Sequence, residues 1–363
     1  MSKISSIKQK YHFFLYNLSP FRFSLIVTHS IKRILSLFGI KKGFRIIDLA
    51  ITYGCNLNCQ HCSAMVMSQT DRKILTLDDY REIVSQAKEL DVLSWNITGG
   101  EPLLVPWLDD LITILEPSMH YISIQTNCML LTKDRAKQLK QLGVNCITTS
   151  LDSIDSEEHN AFRGNPESYL RVFEGIKNAK SAGMQVLVAG TITHQNLRSE
   201  KLRKLITSVN ELGIIFLYNL AVPCGNWKEN SEILLRTDDR KYLLELMEKY
   251  PMTATDHEAG RNAIGCPAGK EKMYITPYGD VIPCPFIHIS FGNVKNTALM
   301  DIVKKMQKIP YFAQYQKICT AAEDTDFIEN VLKRIYNENE AFPVPAEIIF
   351  KELSNSHESR NNL

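Results

Sequence analysis

The stretch Arg45-Ile-Ile-Asp-Leu-Ala-Ile-Thr-Tyr53, then Gly54 and Cys55-Asn-Leu-Asn-Cys59-Gln-His61-Cys62, decides how this chain is read. Its first half is apolar and rich in β-branched residues, the pattern of a buried strand. Its second half sets three cysteines in a C-x3-C-x2-C loop directly after that strand. A [4Fe–4S] cube takes one thiolate per iron, so a loop that gives three leaves one iron for a ligand that is not protein. The loop would sit at a strand's C-terminal end, where parallel α/β folds gather their chemistry.

Outward from this stretch, short apolar runs alternate with amphipathic helical stretches. Strands are expected over 45–53, 92–98, 121–127, 144–151, 184–193 and 214–220. Helix ends are legible between them. Thr76 with Asp79 forms a capping box, Thr132 opens a helix that stops at Gly143, and Pro166 begins one that stops at Gly183. Six β–α units make a right-handed, parallel sheet. Six are too few to close an eight-stranded barrel, so the fold class is α/β, a partial (β/α)6 TIM-like barrel over 44–223. Residues 224–260 read as a linker with a helix near 238–250. Residues 261–330 read as a small α+β extension with a hairpin at 273–282, turning at Pro277-Tyr278-Gly279. Helices over 331–353 and a disordered polar tail over 354–363 complete the chain.

Composition narrows the class. Of 363 residues 44% are hydrophobic and 23% charged, enough for a sizeable core, and a net charge of +2 argues against bulk nucleic-acid binding. Nine cysteines in a chain without a legible secretion signal suit a reducing cytoplasm, where clustered thiols bind metal or do catalysis. Up to Ile47 the chain carries basic residues and no Asp or Glu, interleaved with apolar and aromatic ones, and no apolar run is long enough to span a bilayer. Residues 1–43 therefore read as a basic amphipathic helical extension. It either packs on the domain or, through residues 1–42, touches an anionic membrane surface peripherally.

The second strand ends in Thr98-Gly99-Gly100-Glu101-Pro102. Paired glycines admit close backbone approach, their N–H groups suit a carboxylate, and Glu101 suits a cationic amine. A plain β–α turn would also use such a pair. With the cysteine loop after strand one and Gly-Gly-Glu-Pro after strand two, the region 45–221 resembles the radical S-adenosylmethionine (SAM) superfamily. The resemblance implies that SAM chelates the open iron and is cleaved reductively to a 5′-deoxyadenosyl radical that removes hydrogen from a substrate. It also implies a flavodoxin- or ferredoxin-type reductant. By motif position Gly99, Gly100 and Glu101 would hold the methionyl amine, and His61 would pack on the adenine. Asn127, Ser150, Asp152, Thr191 and Thr193, at strand ends, and Arg163, near the SAM carboxylate, complete the implied cofactor site. Capping and strand-end hydrogen bonds are the plainer reading of these polar residues.

A second cysteine pattern follows. Twelve residues separate Cys266 from Gly279, four separate Gly279 from Cys284, and Cys319 comes later. This resembles the C-terminal extension called SPASM, or its shorter form called twitch. The resemblance implies one auxiliary iron–sulfur cluster, a 4Fe–4S cube held by Cys266, Cys284 and Cys319. Glu323, Asp324, Asp326, Cys224 or the substrate itself are candidates for the remaining iron. Cys224, just beyond the sixth strand, is also a candidate hydrogen-atom donor of the kind an epimerase needs. The expected substrate is a peptide or a small molecule undergoing hydrogen abstraction, dehydrogenation or epimerisation; a lipid or membrane-linked substrate is the alternative. A zinc-binding structural or interaction protein built on the same cysteines is the alternative from another class.

Overall fold

The computed structural model describes residues 44–255, 265–338 and 341–350; the basic segment 1–43 and the tail 354–363 lie outside the described residues. All six expected strands are present: β1 Ile46–Ala50, β2 Ser94–Thr98, β3 Tyr121–Gln125, β4 Cys146–Ser150, β5 Gln185–Ile192 and β6 Ile215–Leu220. Each is shorter than its apolar run: β1, β3, β4 and β5 stop before the run's C-terminal end, where it continues into the loop, whereas β2 and β6 begin later and end where expected.

Two further strands widen the parallel sheet. β7, Thr253–Thr255, pairs parallel with β6, and β8, Lys272–Ile275, pairs parallel with β1, with Asp48 opposite Tyr274. β9, Val281–Ile282, then returns antiparallel beside β8. The order is β7-β6-β5-β4-β3-β2-β1-β8-β9. The sequence assigned β8 to a hairpin within the extension. Its first strand is instead hydrogen-bonded into the barrel sheet, so the extension begins as part of the barrel wall. Local periodicity shows a hairpin and says nothing about its outer partner.

Helices cover one face. α1 Leu77–Glu89, with the Thr76–Asp79 capping box, and α3 Lys133–Gln141, capped by Thr132, are expected from their caps; α2, Leu108–Ile114, between them has no side-chain cap. α4, Ser156–Arg163, is capped by Asp155 and ends on Gly164 at φ 68°. α5 Ser168–Ser181, α6 Glu200–Glu211 and α7 Thr237–Lys249 complete the wound layer. Against them pack Ile47, Leu49, Trp95, Ile97, Ile122, Ile124, Ile147, Val186, Val188 and Phe216, all essentially buried. The alternate residues form the inner wall. There Lys272 pairs with Asp48 at 3.2 Å, Asn96 donates to Asp48 at 2.9 Å, and Ser123 donates to Asn96 at 2.8 Å. Across β5–β7 the same wall is apolar, made of Leu187, Ala189, Ile215, Leu217 and Ala254.

Beyond the barrel come α8, Leu299–Met306, and a helical run from Thr325 that includes Lys333–Glu338. A short β10, Ile289–Ser290, pairs parallel with β11, Val344–Pro345. Among the described residues no helix is long and apolar enough to cross a membrane.

Candidate active site and metal centres

The loops after β1, β2 and β3 are bolted together by their backbones. Gly100 N–H donates to the Thr52 carbonyl at 2.7 Å and Glu101 N–H to that of Gly54 at 2.9 Å. A Cβ on Gly99 would stand 2.1 Å from Thr52 O, and one on Gly100 2.1 Å from Gly54 O. The glycine pair is therefore required by contact with the cysteine loop itself. One of the glycine N–H groups that the sequence offered to a ligand carboxylate, that of Gly100, serves this contact.

Glu101 is wholly buried. Its Oε1 accepts from Leu103 N at 2.9 Å and Thr126 Oγ1 at 2.7 Å, and its Oε2 accepts from Asn127 N at 2.8 Å. Burial pushes its carboxyl pKa up, and these three donors pull it back. The carboxylate read as an amine acceptor thus clamps β2 to β3. It fixes Asn127, whose Nδ2 donates to Asn56 Oδ1 at 2.7 Å and lies 3.8 Å from Cys55 Sγ. Asn56 was not singled out in the sequence.

The ends of β4 and β5 converge on Asp152. Arg163 Nε and Nη2 each stand 2.7 Å from its Oδ2, and Thr191 N donates to Oδ1 at 3.0 Å. Burial pushes Asp152 up most strongly, yet the Arg163 cation, the neighbouring histidines and the Thr191 N–H together hold the carboxyl below its usual range. The guanidinium also reaches the cysteine loop, with Nη1 3.8 Å from Cys59 Sγ. Arg163, read as a partner for the SAM carboxylate, is committed to Asp152 and Cys59. Behind them lies His159, buried and pushed down to about 4 mainly by burial. His159 precedes Arg163 by four residues on α4, a one-face spacing that could have flagged it. Thr193 exchanges hydrogen bonds with Asn196 in a strand-end turn, and Ser150 ends β4 on the half-buried inner wall.

His61 stacks flat on Phe162, centroids 4.6 Å apart, with Trp227 at 5.7 Å. It is pushed down to about 3, first by burial and then by the Arg163 cation, so the ring is neutral. The loop after β6 closes the ring of contacts. Asn226 donates from its backbone to Cys62 O and from its side chain to Cys59 O, both at 3.0 Å.

Cys55, Cys59 and Cys62 are half-buried to exposed, and donors surround their sulfurs. Leu57 N approaches Cys55 Sγ at 3.4 Å, and the N–H groups of Ala64 and Met65 face Cys62. Nδ1 of His61, beside this triplet, is buried without a hydrogen-bond partner among the described residues. Thiols ringed by N–H donors and a cation suit an anionic cluster.

The second triplet flanks the β8–β9 hairpin, with Cys266 before β8, Cys284 after β9 and Cys319 in the segment before Thr325. Cys266, Cys284 and Cys319 line one cavity, together with Asn219 from β6 and Lys272 from the inner wall. The thiols of Cys266 and Cys284 act electrostatically on Cys319, which burial pushes well up. Next to it the Thr320 hydroxyl is buried and unpartnered among the described residues. That orphan donor and the three thiols fit a cluster. The carboxylates suggested for the remaining iron are already engaged. Glu323 binds Arg240 at 2.5 Å and accepts from Cys319 N at 2.8 Å. Asp324 caps Phe327 N at 3.1 Å, and exposed Asp326 holds Tyr311 and Asn330. Cys224 is buried beside Tyr336, within electrostatic reach of both Cys284 and Cys62.

A barrel with one thiol triplet at its strand ends and a second lining a cavity in its C-terminal extension fits an iron–sulfur enzyme class. Residues 49–207 match the radical SAM superfamily, and residues 266–322 match the SPASM iron–sulfur cluster-binding domain. The chain belongs to the radical SAM superfamily, in the branch with a SPASM extension, and is an enzyme of that family whose clusters are of the 4Fe–4S type. The cluster-binding match replaces the zinc alternative. Similar proteins include the AdoMet-dependent heme synthase of Methanosarcina barkeri, 25% identical over 286 residues, covering 71% of this chain and 81% of that one. The antilisterial bacteriocin subtilosin biosynthesis protein AlbA of Bacillus subtilis is 26% identical, covering 67% of this chain and 56% of that protein. In fold, Streptococcus suis SuiB, crystallised with its precursor peptide SuiA, superposes with a TM-score of 0.59 at 21% identity, covering 77% of this chain and 68% of SuiB.

Proposed function

We propose that this enzyme removes a hydrogen atom from a peptide substrate and works with a single auxiliary cluster. Cys55, Cys59 and Cys62 would hold the SAM-binding 4Fe–4S cluster, which, when bound with SAM, supplies the 5′-deoxyadenosyl radical. Cys266, Cys284 and Cys319 would hold the auxiliary cluster. The observation that carries the reading is the coupling of the first triplet to its surroundings. Every loop at the strand ends from β1 to β6 reaches that triplet directly or through Asp152 and Glu101.

Each residue then has a task. Gly99 and Gly100 let the second loop lie against the cysteine loop, and Glu101 fixes Asn127 beside Cys55. Asp152 orients Arg163 toward Cys59, with Thr191 holding Asp152 in turn. His61, neutral and stacked on Phe162, presents an aromatic edge suited to adenine. A peptide is supported by the names of two similar proteins, AlbA and SuiB. It is also supported by the inner wall, which carries the amide and hydroxyl groups of Asn96, Ser123 and Gln125 on β2 and β3 and the apolar Leu187 and Leu217 on β5 and β6. Nine free thiols suit a reducing compartment, and a flavodoxin- or ferredoxin-type protein is the proposed reductant.

The test is anaerobic reconstitution followed by SAM and dithionite. Two cubes predict about eight irons per chain, with 5′-deoxyadenosine and methionine formed in equal amounts. Failure to form 5′-deoxyadenosine refutes the reading. Deuterium transfer into 5′-deoxyadenosine from labelled peptides, but not from labelled alcohols or aminocyclitols, identifies the substrate class.

A further inference from the structure

The two cysteine triplets are joined by a buried hydrogen-bonded chain that neither motif contains. On one side, residues 225–226 grip the SAM-site loop. Asn226 binds the carbonyls of Cys62 and Cys59, and a Cβ on Gly225, whose φ is 58°, would lie 2.2 Å from Cys62 O. Only glycine lets this loop lie so close. On the other side stands the Tyr336 hydroxyl, which accepts from Gly225 N at 3.3 Å and bonds the Cys224 thiol. The same hydroxyl lies 2.7 Å from His288 Nδ1, and His288 Nε2 lies 3.1 Å from the carbonyl of Pro285, the neighbour of Cys284. A carbonyl only accepts, so Nε2 carries the ring hydrogen and Nδ1 accepts from Tyr336 O–H. Burial, which pushes His288 down to about 4, keeps that ring neutral.

Each member of the chain is sealed from water: Cys224 is 2% exposed, His288 0% and Tyr336 7%. Phe342 packs against both rings, with centroids 5.1 Å from Tyr336 and 6.3 Å from His288. The tyrosine comes from the C-terminal helical run and the histidine from the segment after Cys284, so the link exists only in the folded chain. It satisfies every polar group in a dry region, which makes it stiff.

We propose that Tyr336 and His288 are positioning residues that couple the two cluster sites, fixing the Cys59–Cys62 loop relative to the Cys284 loop and keeping water from the space between them. The inference rests on the reading that both triplets carry clusters. Cluster potentials respond to hydrogen bonds and solvent exposure. Breaking the link from the C-terminal side would therefore be felt at the SAM site, although Tyr336 belongs to neither motif.

The test uses the reconstituted full chain and electron paramagnetic resonance during a reductive titration, with iron and sulfide counted on every sample. Y336F removes one oxygen and keeps the ring; H288L removes the acceptor and H288Q restores a polar partner. The expected result is full iron content in all variants and an upward shift of the SAM-site cluster midpoint in Y336F and H288L. The shift should be on the order of tenfold in the reduction equilibrium, about 59 mV for one electron. H288Q should lie nearer the wild type, and the Y336F/H288L double variant should match either single one, because both cut the same link. A SAM-site midpoint unchanged in Y336F overturns the inference, as does a shift confined to the auxiliary cluster or a merely additive double variant. Absence of iron from the wild-type chain would instead refute the cluster reading beneath it.

Discussion

Replacing Arg163 with Met is the sharpest probe of the site, because it leaves a buried carboxylate without its cation. The Asp152 and Arg163 side chains are 7% and 11% exposed, and Nε and Nη2 each stand 2.7 Å from Oδ2. Two hydrogen bonds between charged groups contribute about 3–6 kcal/mol together, and breaking a buried pair by removing one partner costs about 3–5 kcal/mol. Thr191 N and the neutral His159 would remain beside Asp152, and neither supplies a positive charge, so an expected loss of about 4 kcal/mol follows. The pH dependence sharpens it. In the wild type the Asp152 pKa is lowered on folding, so its contribution is complete above the unfolded value, about 3.9, and fades only as pH falls through the lower folded value. In R163M burial, the largest influence on Asp152, is opposed only by the Thr191 N–H and the neighbouring histidines, and the folded pKa rises. The carboxylate then opposes folding at neutral pH, and the deficit shrinks on acidification. Anaerobic urea unfolding of both proteins at pH 7.5 and pH 5 reads this directly. A deficit below about 1 kcal/mol at pH 7.5, the scale of an exposed pair, would refute the argument. So would a deficit that does not change between the two pH values.

Other outcomes follow from the same geometry. G100A drives a Cβ into Gly54 O, with overpacking of about 1–3 kcal/mol; iron analysis should show the SAM-site cluster lost and the auxiliary cluster retained. E323Q should keep its full iron content, since Glu323 binds Arg240 and Cys319 N; a loss of about four irons would make it a ligand. His159 and His288, both fully buried and pushed down to about 4, take up protons on unfolding from about pH 6.5 downward. Wild-type stability should therefore fall by up to about 1.4 kcal/mol per pH unit for each of them between pH 6.5 and 4. Urea midpoints across that range check this, and a flat profile contradicts the neutral assignment.

The parts of the fold that were legible are those written in adjacent residues. Strand runs, the Thr76 and Thr132 caps, the stops at Gly143 and Gly183 and both cysteine spacings are local, and each sits where expected. Residue types at the strand ends were legible too, but their partners were not. Glu101 suggested an amine and binds Thr126, Asn127 and Leu103; Arg163 suggested a carboxylate ligand and binds the chain's own Asp152. A carboxylate or guanidinium has the same chemistry toward a ligand as toward a neighbour, and only burial and distance tell them apart. His159 could have been found from its spacing to Arg163. No local signal pointed to Asn226, His288 or Tyr336.

What the linear chain determined by itself was the class: thiol triplets at fixed short spacing and a glycine pair at a strand end are properties of neighbours, and neighbours constrain each other whatever the fold. The folded chain alone decided which polar groups remain for a cofactor, and that β8 completes the barrel wall beside β1. It also brought Tyr336, more than a hundred residues after Cys224, into hydrogen-bond contact with Gly225. Hydrogen bonds across such separations are selected by packing and the exclusion of water, which act through space and leave no pattern along the sequence.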